Sequence, residues 1–387
     1  MKKTTEVFLR ALEELVYGQL ELELPDGTKH HFAGGKPGPK AHLRLHEEGV
    51  IPNMILRGNM AFANDYRAGK WDSNDLAALL ECGLRNSGPL QRYTRGSKTL
   101  QLLTGLSYLF RQNTRRGSRR NIHYHYDLGN DFYALWLDRT MTYSSALFND
   151  ATDDLTTAQH HKYDRILELL GDTPQQVVDI GCGWGGFVER GVETAGHQVE
   201  GITISPSQHE YACKRLHKHH TQAAIRLQDY RALRGNYDAV VSIEMFEAVG
   251  ERYWNSFFRK IKSILNNKGR AVIQAITIDD EYFDDYRRGG DVIRSYIFPG
   301  GMLPCPTRFK RDAARAGLQI TDQYFFGADY ARTLQHWLGR FERQSEALLA
   351  LNFDQPFMRL CRFYLASCIG AFRAQRTNVM QVALRHA

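Results

Sequence analysis

A short apolar strand that runs directly into a cluster of glycines constrains this chain more than any other feature. The segment 177–187, VVDIGCGWGGF, places Asp179 just before Gly181, Gly183 and Gly185. Glycine has no Cβ and readily adopts positive φ, so the main chain can turn sharply and a flat ligand can lie against it. The segment therefore predicts a ligand-binding turn that follows a buried strand.

Two cofactors compete for such a turn. A dinucleotide needs an acidic residue about 20 positions further on, at the end of the next strand, to bind the ribose. That strand, 197–204 (HQVEGITI), carries Glu200 too early and ends in Thr203 and Ile204. The position of Asp179 is instead typical of S-adenosylmethionine methyltransferases. The pattern favours this cofactor, with a dinucleotide and a purely structural glycine turn as alternatives.

Composition and charge narrow the class of protein. The 387 residues are enough for about two to three domains. No apolar run reaches the roughly 18 residues of a membrane span, and the charged N-terminus does not resemble a signal peptide. The six cysteines form no Cys-x-x-Cys pair and no metal-binding array, which predicts a cytoplasmic protein without a metal site. The formal net charge of +7 is compatible with anionic lipid surfaces or nucleic acid.

Alternating strand and helix patterns from residue 177 onward predict an α/β, Rossmann-like parallel sheet with helices on both faces and ligands at the carboxyl ends of its strands. A last strand at 379–384 is predicted to be antiparallel. The segment 279–306 interrupts the alternation with clustered charges, two glycine pairs and three prolines, which favours a helical lid. We thus predict one domain over 122–387 with a lid insertion.

The first part of the chain has a different pattern. Residues 1–110 combine helical periodicity with alternating strands, which predicts a small α+β module, interpreted as lipid- or membrane-associated. Residues 111–121 include five arginines, as RQNTRRGSRR at 111–120 shows. A solvated basic linker is the simplest interpretation; contact with phospholipid head groups is the second, and nucleic acid the third.

Several motifs in register resemble the cyclopropane fatty acid synthase family. They run in the family's order from about Ile122 to the C-terminus: His125-Tyr126-Asp127, Tyr143-Ser144, DIGCGWGG, GITIS-x-x-Q at 201–208, QDYR at 228–231, MFE-x-VG at 245–250, YIFPGG at 296–301 and FGADY at 326–330. The resemblance implies a class I methyltransferase fold and transfer of a methyl group from S-adenosylmethionine to the double bond of an unsaturated phospholipid acyl chain. It implies the following cofactor-binding residues: Tyr143, Ser144, Asp179, Gly181, Gly183, Gly185, Thr203, Ser205, Gln208, Asp229 and Tyr230.

Ring closure requires loss of a proton, and in the family a bound bicarbonate accepts it. Matching residues predict that Glu247, Tyr330 and the main chain of Ile276 belong to this bicarbonate site. Ser145 stands where the family has cysteine, and Gln274 where it has histidine. Both side chains can still donate hydrogen bonds to an anion.

Glu244 also departs from the family, whose common members have a small residue there. A carboxylate at this position can occupy or replace the bicarbonate, although a strand-end acid without a role is an equal alternative. The leading expectation is cyclopropanation at the inner face of a membrane. A methyl-branched or methylene product and a non-catalytic lipid-binding protein are the alternatives. The expected partner is an unsaturated phospholipid, not nucleic acid, and a homodimer stays open.

Overall fold

The structure is a computed structural model that describes residues 3–88, 90 and 128–387. The predicted basic linker and the motif His125-Tyr126-Asp127 lie outside the described residues. Within the described ranges, no helix carries an apolar stretch long enough to cross a bilayer.

Helices and strands alternate along most of the described chain. The helices are α1 (Lys3–Leu12), α2 (Val50–Arg57), α3 (Asn59–Arg67), α4 (Leu76–Arg85), α5 (Asn130–Trp136), α6 (Leu155–Leu170), α7 (Gly186–Ala195), α8 (Pro206–Arg215), α9 (Trp254–Ile264), α10 (Asp280–Arg288), α11 (Pro306–Arg315), α12 (Gly327–Arg343), α13 (Ser345–Ala350) and α14 (Gln355–Arg373). The strands are β1 (Tyr17–Glu23), β2 (Lys29–Ala33), β3 (Lys36–Leu45), β4 (Trp71–Asp72), β5 (Gln176–Ile180), β6 (Gln198–Thr203), β7 (Ala223–Leu227), β8 (Tyr237–Ile243), β9 (Leu265–Ile278), β10 (Leu318–Phe325) and β11 (Thr377–His386).

The larger sheet has seven strands in the order β10-β11-β9-β8-β5-β6-β7. Neighbouring strands pair in parallel across β9-β8-β5-β6-β7, and β11 runs antiparallel to both of its neighbours, β10 and β9. The chain leaves β5 toward β6 and later returns on its other side as β8. Ligands of open α/β sheets bind at such a switch point, outside the carboxyl ends of the strands.

The core of this sheet explains why β5 is short and apolar. Val177, Val178 and Ile180 are at most 1% exposed, because helices cover both faces of a parallel sheet. The apolar pattern over 237–249 predicts one strand, but β8 ends at Ile243, since Glu244 has φ +50° and a 3-10 turn follows at Phe246–Ala248. Glu244 therefore lies at the carboxyl end of β8 and not within the strand.

The described chain clusters into two compact units. The first contains the described residues before 91 together with Asp285–Ile297 and Leu334–Arg376, and the second contains the remaining described residues. The predicted boundary placed 285–297 and 334–376 in the second domain, and the predicted lid, 279–306, is divided between the units. Arg359 on α14 explains part of the grouping, since its Nη2 lies 2.8 Å from Oδ1 of Asp72.

A four-stranded sheet, in the order β2-β1-β3-β4, forms the centre of the first unit. The alternating pattern over 20–32, with Pro25-Asp26-Gly27 at its centre, predicts a β-hairpin, and β1 and β2 form this antiparallel pair. The sequence pattern over 53–72 predicts one helix. The structure has α2, α3 and β4 over this part of the chain, because Gly58 adopts φ +72° between the two helices.

Candidate active site

The glycine turn after β5 leaves space for a ligand. Gly181, Gly183 and Gly185 have φ of +87°, +54° and +85°. A Cβ at Gly181 would lie 2.8 Å from Cγ of Met245, whereas a Cβ at Gly183 would meet no atom of the described chain within 4 Å. Gly181 is therefore required by packing within the protein, and Gly183 borders open space that a side chain would fill.

Asp179 is a buried acid directly before this turn. It is 1% exposed, and its Oδ1 has no hydrogen-bond partner among the described residues. Burial raises the pKa of this carboxyl, and the nearby Lys162 opposes the rise. Buried acceptors normally have donors, so an unpaired oxygen beside an open turn fits a ligand that donates hydrogen bonds. The ammonium and hydroxyl groups of S-adenosylmethionine are such donors, and the turn thus fits this cofactor.

Three predicted cofactor residues lie together at the carboxyl end of β6. Thr203 donates its hydroxyl hydrogen to Oε1 of Gln208 at 2.8 Å, and Ser205 caps α8 by accepting from the main-chain N–H of Gln208 at 3.4 Å. All three side chains are buried. They form a helix-capping cluster beside the glycine turn, because β5 and β6 are parallel neighbours.

Asp229 and Tyr230 follow β7, the next strand of the sheet. The Asp229 carboxylate accepts from Nε and Nη2 of Arg231 at 2.9 and 2.6 Å. The ring of Tyr230 packs edge-on against Phe257, with 5.4 Å between the centroids. The structure therefore places a fixed acid and an aromatic ring after the carboxyl end of β7.

Tyr143 belongs to an aromatic cluster formed by Tyr133, Trp136, Tyr143, Trp184 and Phe298. Its ring centroid lies 5.5 Å from that of Tyr133, 5.6 Å from that of Trp136 and 6.4 Å from that of Phe298. Phe298 comes from the segment predicted as a lid. The cluster provides an apolar surface for a site that must exclude water.

Ser144 contacts a lysine that the sequence interpretation missed. Lys162, on α6, has no exposed surface, and its Nζ donates to Oγ of Ser144 at 2.7 Å and to Oε1 of Gln159 at 2.6 Å. Burial lowers the pKa of this ammonium, while nearby carboxylates, first among them Glu244, oppose the fall. The helical spacing of Gln159, Lys162 and Ile166 is the signal that would have placed Lys162 on the buried face.

The Glu244 carboxylate is the point on which three predicted residues converge. Its Oε1 accepts from the main-chain N–H of Ser145 at 2.8 Å and from Nε2 of Gln274 at 2.7 Å. Its Oε2 accepts from the Tyr330 hydroxyl at 2.6 Å. Ser145 contributes its main chain only, since its own hydroxyl donates to the carbonyl of Ala146 at 3.0 Å.

Glu247 lies one turn further along. Its Oε1 accepts a hydrogen bond from the main-chain N–H of Ile276, whereas its Oε2 is buried and has no partner in the described part of the chain. Burial, together with the negative charge of Glu244, raises the pKa of Glu247 to about 8. The structure thus places a carboxylate oxygen of raised basicity beside the carboxyl end of β8.

A further residue that the sequence interpretation missed supports this arrangement from β11. Nε2 of Gln381 donates to Oε1 of Gln274 at 3.0 Å, and Gln381 is fully buried. This contact fixes the amide of Gln274 so that its nitrogen points to Glu244. Only the antiparallel pairing of β11 with β9, in which Gln381 lies opposite Gln274, reveals it.

Among the described residues, one group of potential metal ligands lies elsewhere, on α7 and in the turn after α8. Glu189, Glu193 and His219 present ligand atoms close to one another. Both carboxylates are already paired with cations, Glu189 with Arg215 at 2.6 Å and Glu193 with Lys218 at 2.9 Å. These ion pairs account for the position of the two carboxylates without a metal ion.

The seven-stranded sheet with one antiparallel strand, the glycine turn after its central strand and the buried acid before that turn define the class of protein. The chain is a class I S-adenosylmethionine-dependent methyltransferase, the class that the sequence predicts.

Comparisons with known proteins give the family. Residues 113–382 match the mycolic acid cyclopropane synthetase family. The chain is 35% identical over 384 aligned positions, covering 94% of this chain and 87% of the relative, to the tuberculostearic acid methyltransferase of Mycobacterium tuberculosis. It is 32% identical over 349 positions, covering 88% of this chain and 87% of the relative, to the cyclopropane-fatty-acyl-phospholipid synthase of Escherichia coli.

A solved structure agrees. The mycolic acid cyclopropane synthase CmaA1, complexed with S-adenosylhomocysteine and CTAB, superposes with a TM-score of 0.65 and 29% identity, covering 69% of this chain and 97% of that one. The chain belongs to the cyclopropane synthase family of methyltransferases, which confirms the resemblance identified from its motifs.

Proposed function

We propose that this methyltransferase alkylates the double bond of an unsaturated phospholipid acyl chain and that a cyclopropane ring is the product. The observation that carries the proposal is the buried Oε2 of Glu247, which has no hydrogen-bond partner among the described residues and follows β8, the parallel neighbour of β5. Methyl transfer to an alkene leaves a carbocation, and a ring forms only if a base removes a proton from the new methyl group. Glu247 provides that base.

The surroundings suit the same chemistry. An alkene is a weak nucleophile, so it must be held close to the methyl donor and away from water. S-adenosylmethionine, when bound, supplies an electrophilic methyl group. The aromatic cluster supplies ring faces that can stabilise a cation. A main-chain hydrogen bond also fixes the position of Glu247, whose carbonyl accepts from the N–H of Met302 at 2.9 Å.

A second product is favoured by a specific observation. The donors that the resemblance assigns to bicarbonate are used by Glu244, so the base differs from that of the family pattern. If the hydrogen on the methylated carbon first shifts as hydride to the cationic carbon, loss of a proton from the methyl group gives a methylene group instead of a ring. Reduction of that methylene by an external hydride donor gives a methyl branch. The relative with 35% identity is named a tuberculostearic acid methyltransferase, not a cyclopropane synthase.

We place the reaction at the cytoplasmic surface of a membrane, where the protein would bind peripherally. The support is the formal net charge of +7, because anionic head groups attract basic surfaces. The acyl chain of a phospholipid would then enter the site from the bilayer.

The test is the product itself. A host expressing the chain is fed methyl-labelled methionine, and its phospholipids are analysed by mass spectrometry and NMR. A cyclopropane and a methylene product both gain one CH₂ and are separated by NMR, whereas a methyl branch also gains two hydrogens. The Glu247→Gln variant serves as the control and should accumulate far less product. Absence of labelled acyl chains with every unsaturated phospholipid supplied would refute the proposed substrate.

A further inference from the structure

The anion expected from the family does not fit the residues present. The resemblance predicts that donors at positions 145, 274 and 330 surround a bicarbonate. In the structure, the N–H of Ser145, the amide of Gln274 and the hydroxyl of Tyr330 all donate to one carboxylate of the protein, that of Glu244, at 2.6–2.8 Å. Each donor is thus already used by an anion that is part of the chain.

The backbone supports a specific role for Glu244. Its φ of +50° lies in the left-handed region that L-residues rarely adopt. Such conformations persist where the surrounding structure stabilises them, and they are concentrated at functional sites. Here the stabilisation comes from the three hydrogen bonds to the carboxylate and from the N–H of Glu244, which donates to the carbonyl of Gln274 at 2.8 Å. The strained residue is held with its carboxylate in the donor set.

Burial raises the pKa of Glu244, whereas the hydrogen bonds from Tyr330, Ser145 and Gln274 and the charge of Lys162 oppose this rise and favour the anion. Lys162 is the cation that interacts with it, and Glu247 is the neighbouring acid. Because the three hydrogen-bond donors are uncharged, they stabilise the negative charge without neutralising it. A fixed negative charge next to Glu247 makes removal of a proton from the substrate by Glu247 more favourable.

We propose that Glu244 replaces bicarbonate as the fixed anion of this active site, so that the enzyme works without bicarbonate and Glu247 is the group that accepts the proton. This inference rests on the proposed function. The C–H bond of the added methyl group breaks, its electron pair forms the third C–C bond of the ring, and the proton passes to Oε2 of Glu247 and then to solvent. Glu244 acts through Glu247 and is a positioning residue.

The experiment compares the full-length wild type with two variants at this position. Glu244→Gly removes the side chain, suits the positive φ and exposes the donors, whereas Glu244→Gln keeps the side-chain volume and removes the charge. Methyl transfer to vesicles of a monounsaturated phosphatidylglycerol is measured in buffer freed of carbon dioxide and after addition of sodium bicarbonate. Binding of ¹³C-bicarbonate is followed by NMR without lipid, and thermal denaturation verifies that each variant is folded.

Wild-type turnover should be the same with and without bicarbonate, and the wild type should show no saturable bicarbonate binding. Glu244→Gly should lose about 100-fold in turnover without bicarbonate, bind it saturably and recover activity when it is added. The turnover of Glu244→Gln should not increase when bicarbonate is added. The pH at which its activity is half-maximal should fall, since Glu247 then lacks a charged neighbour.

Saturable bicarbonate binding by the wild type together with bicarbonate-dependent turnover would overturn the inference. So would a folded Glu244→Gly variant that neither binds bicarbonate nor responds to it. If the wild type methylates no phospholipid at all, the proposed substrate fails, but the binding measurements still decide whether Glu244 occupies an anion site.

Discussion

At the scale of single residues, the pair of glutamates after β8 determines the chemistry. Glu247 has one oxygen bound by the N–H of Ile276 and one without a donor in the described chain, and its pKa is raised to about 8. An acid with a raised pKa is protonated at a pH where an ordinary carboxyl is ionised. Its capacity to accept a proton therefore appears only as the pH rises.

The Glu247→Gln variant tests this directly. Wild-type kcat/KM should rise with pH toward a plateau above about pH 8, because that parameter reports ionisation of the free enzyme. The variant should lose about 100-fold in turnover along with this pH dependence, while its affinity for S-adenosylmethionine, measured by calorimetry, changes little. A wild-type profile that is flat from pH 6 to about pH 9 would contradict the assignment of the base.

Stability provides an independent measurement on the same variant. The folded state binds the Glu247 proton more tightly than the unfolded state, whose carboxyl has the ordinary pKa of 4.5. The wild type therefore loses stability as the pH rises from 4.5 to about 8. Glu247→Gln should melt at a higher temperature than the wild type above this range. Below it, where the carboxyl is neutral in both states, the two should be similar.

At the scale of secondary-structure elements, the turn between β5 and α7 separates packing from binding. Gly181 is required because a Cβ would collide with Met245, whereas a Cβ at Gly183 would meet no described atom and would enter the space expected to hold the cofactor. Both adopt positive φ, so any replacement also introduces backbone strain of about 1–2 kcal/mol. A variant at Gly183 must therefore be compared with one that carries the same strain far from the turn.

Gly27, in the hairpin between β1 and β2, provides that control. It has φ +86°, and a Cβ at this position would meet no atom within 4 Å, as at Gly183. Gly183→Val and Gly27→Val should lower the melting temperature to a similar degree, yet only Gly183→Val should abolish measurable binding of S-adenosylmethionine in calorimetry. Normal cofactor affinity in Gly183→Val would refute the location of the site.

At the scale of the whole molecule, the positive charge is expected to determine membrane binding. Much of it is concentrated in Arg111, Arg115, Arg116, Arg119 and Arg120, which lie outside the described residues. Each cation near an anionic surface contributes about 1 kcal/mol, and salt screens the attraction.

Replacing these five arginines with glutamine should therefore reduce binding to vesicles that contain phosphatidylglycerol by at least about tenfold in a sedimentation assay at low salt. Binding by the wild type should itself weaken as salt is added. A control with the same loss of charge at exposed positions, Lys29, Lys40, Arg44, Lys214 and Lys218, should bind nearly as well as the wild type. Equal losses in both variants would show that net charge alone, and not this segment, governs binding.

Local patterns in the sequence account for most of the fold. Buried parallel strands are continuous apolar runs, and helices have one apolar stripe, so β5, β6 and α9 are evident before any tertiary information. The glycine turn and Asp179 identify the cofactor for a similar reason, since the chemistry of the turn is contained in consecutive residues. Lys162 was missed because a lysine on an amphipathic helix is ordinarily assigned to the exposed face.

The grouping of the compact units could not be predicted in the same way. Periodicity over 358–374 predicts a helix with an apolar face, but it does not show which partner that face covers. The pairing of Arg359 on α14 with Asp72 joins residues 287 positions apart. Contacts of this kind depend on the arrangement of the whole chain.

Residue patterns alone encode the sheet, the glycine turn, the cofactor and the family of this protein. What Glu244 does is decided only in the folded chain. Its three donors come from residues 99, 30 and 86 positions away, on a loop, on β9 and on α12. No local pattern encodes their convergence. It depends on strand register and on the left-handed backbone of Glu244, which directs the carboxylate toward the three donors.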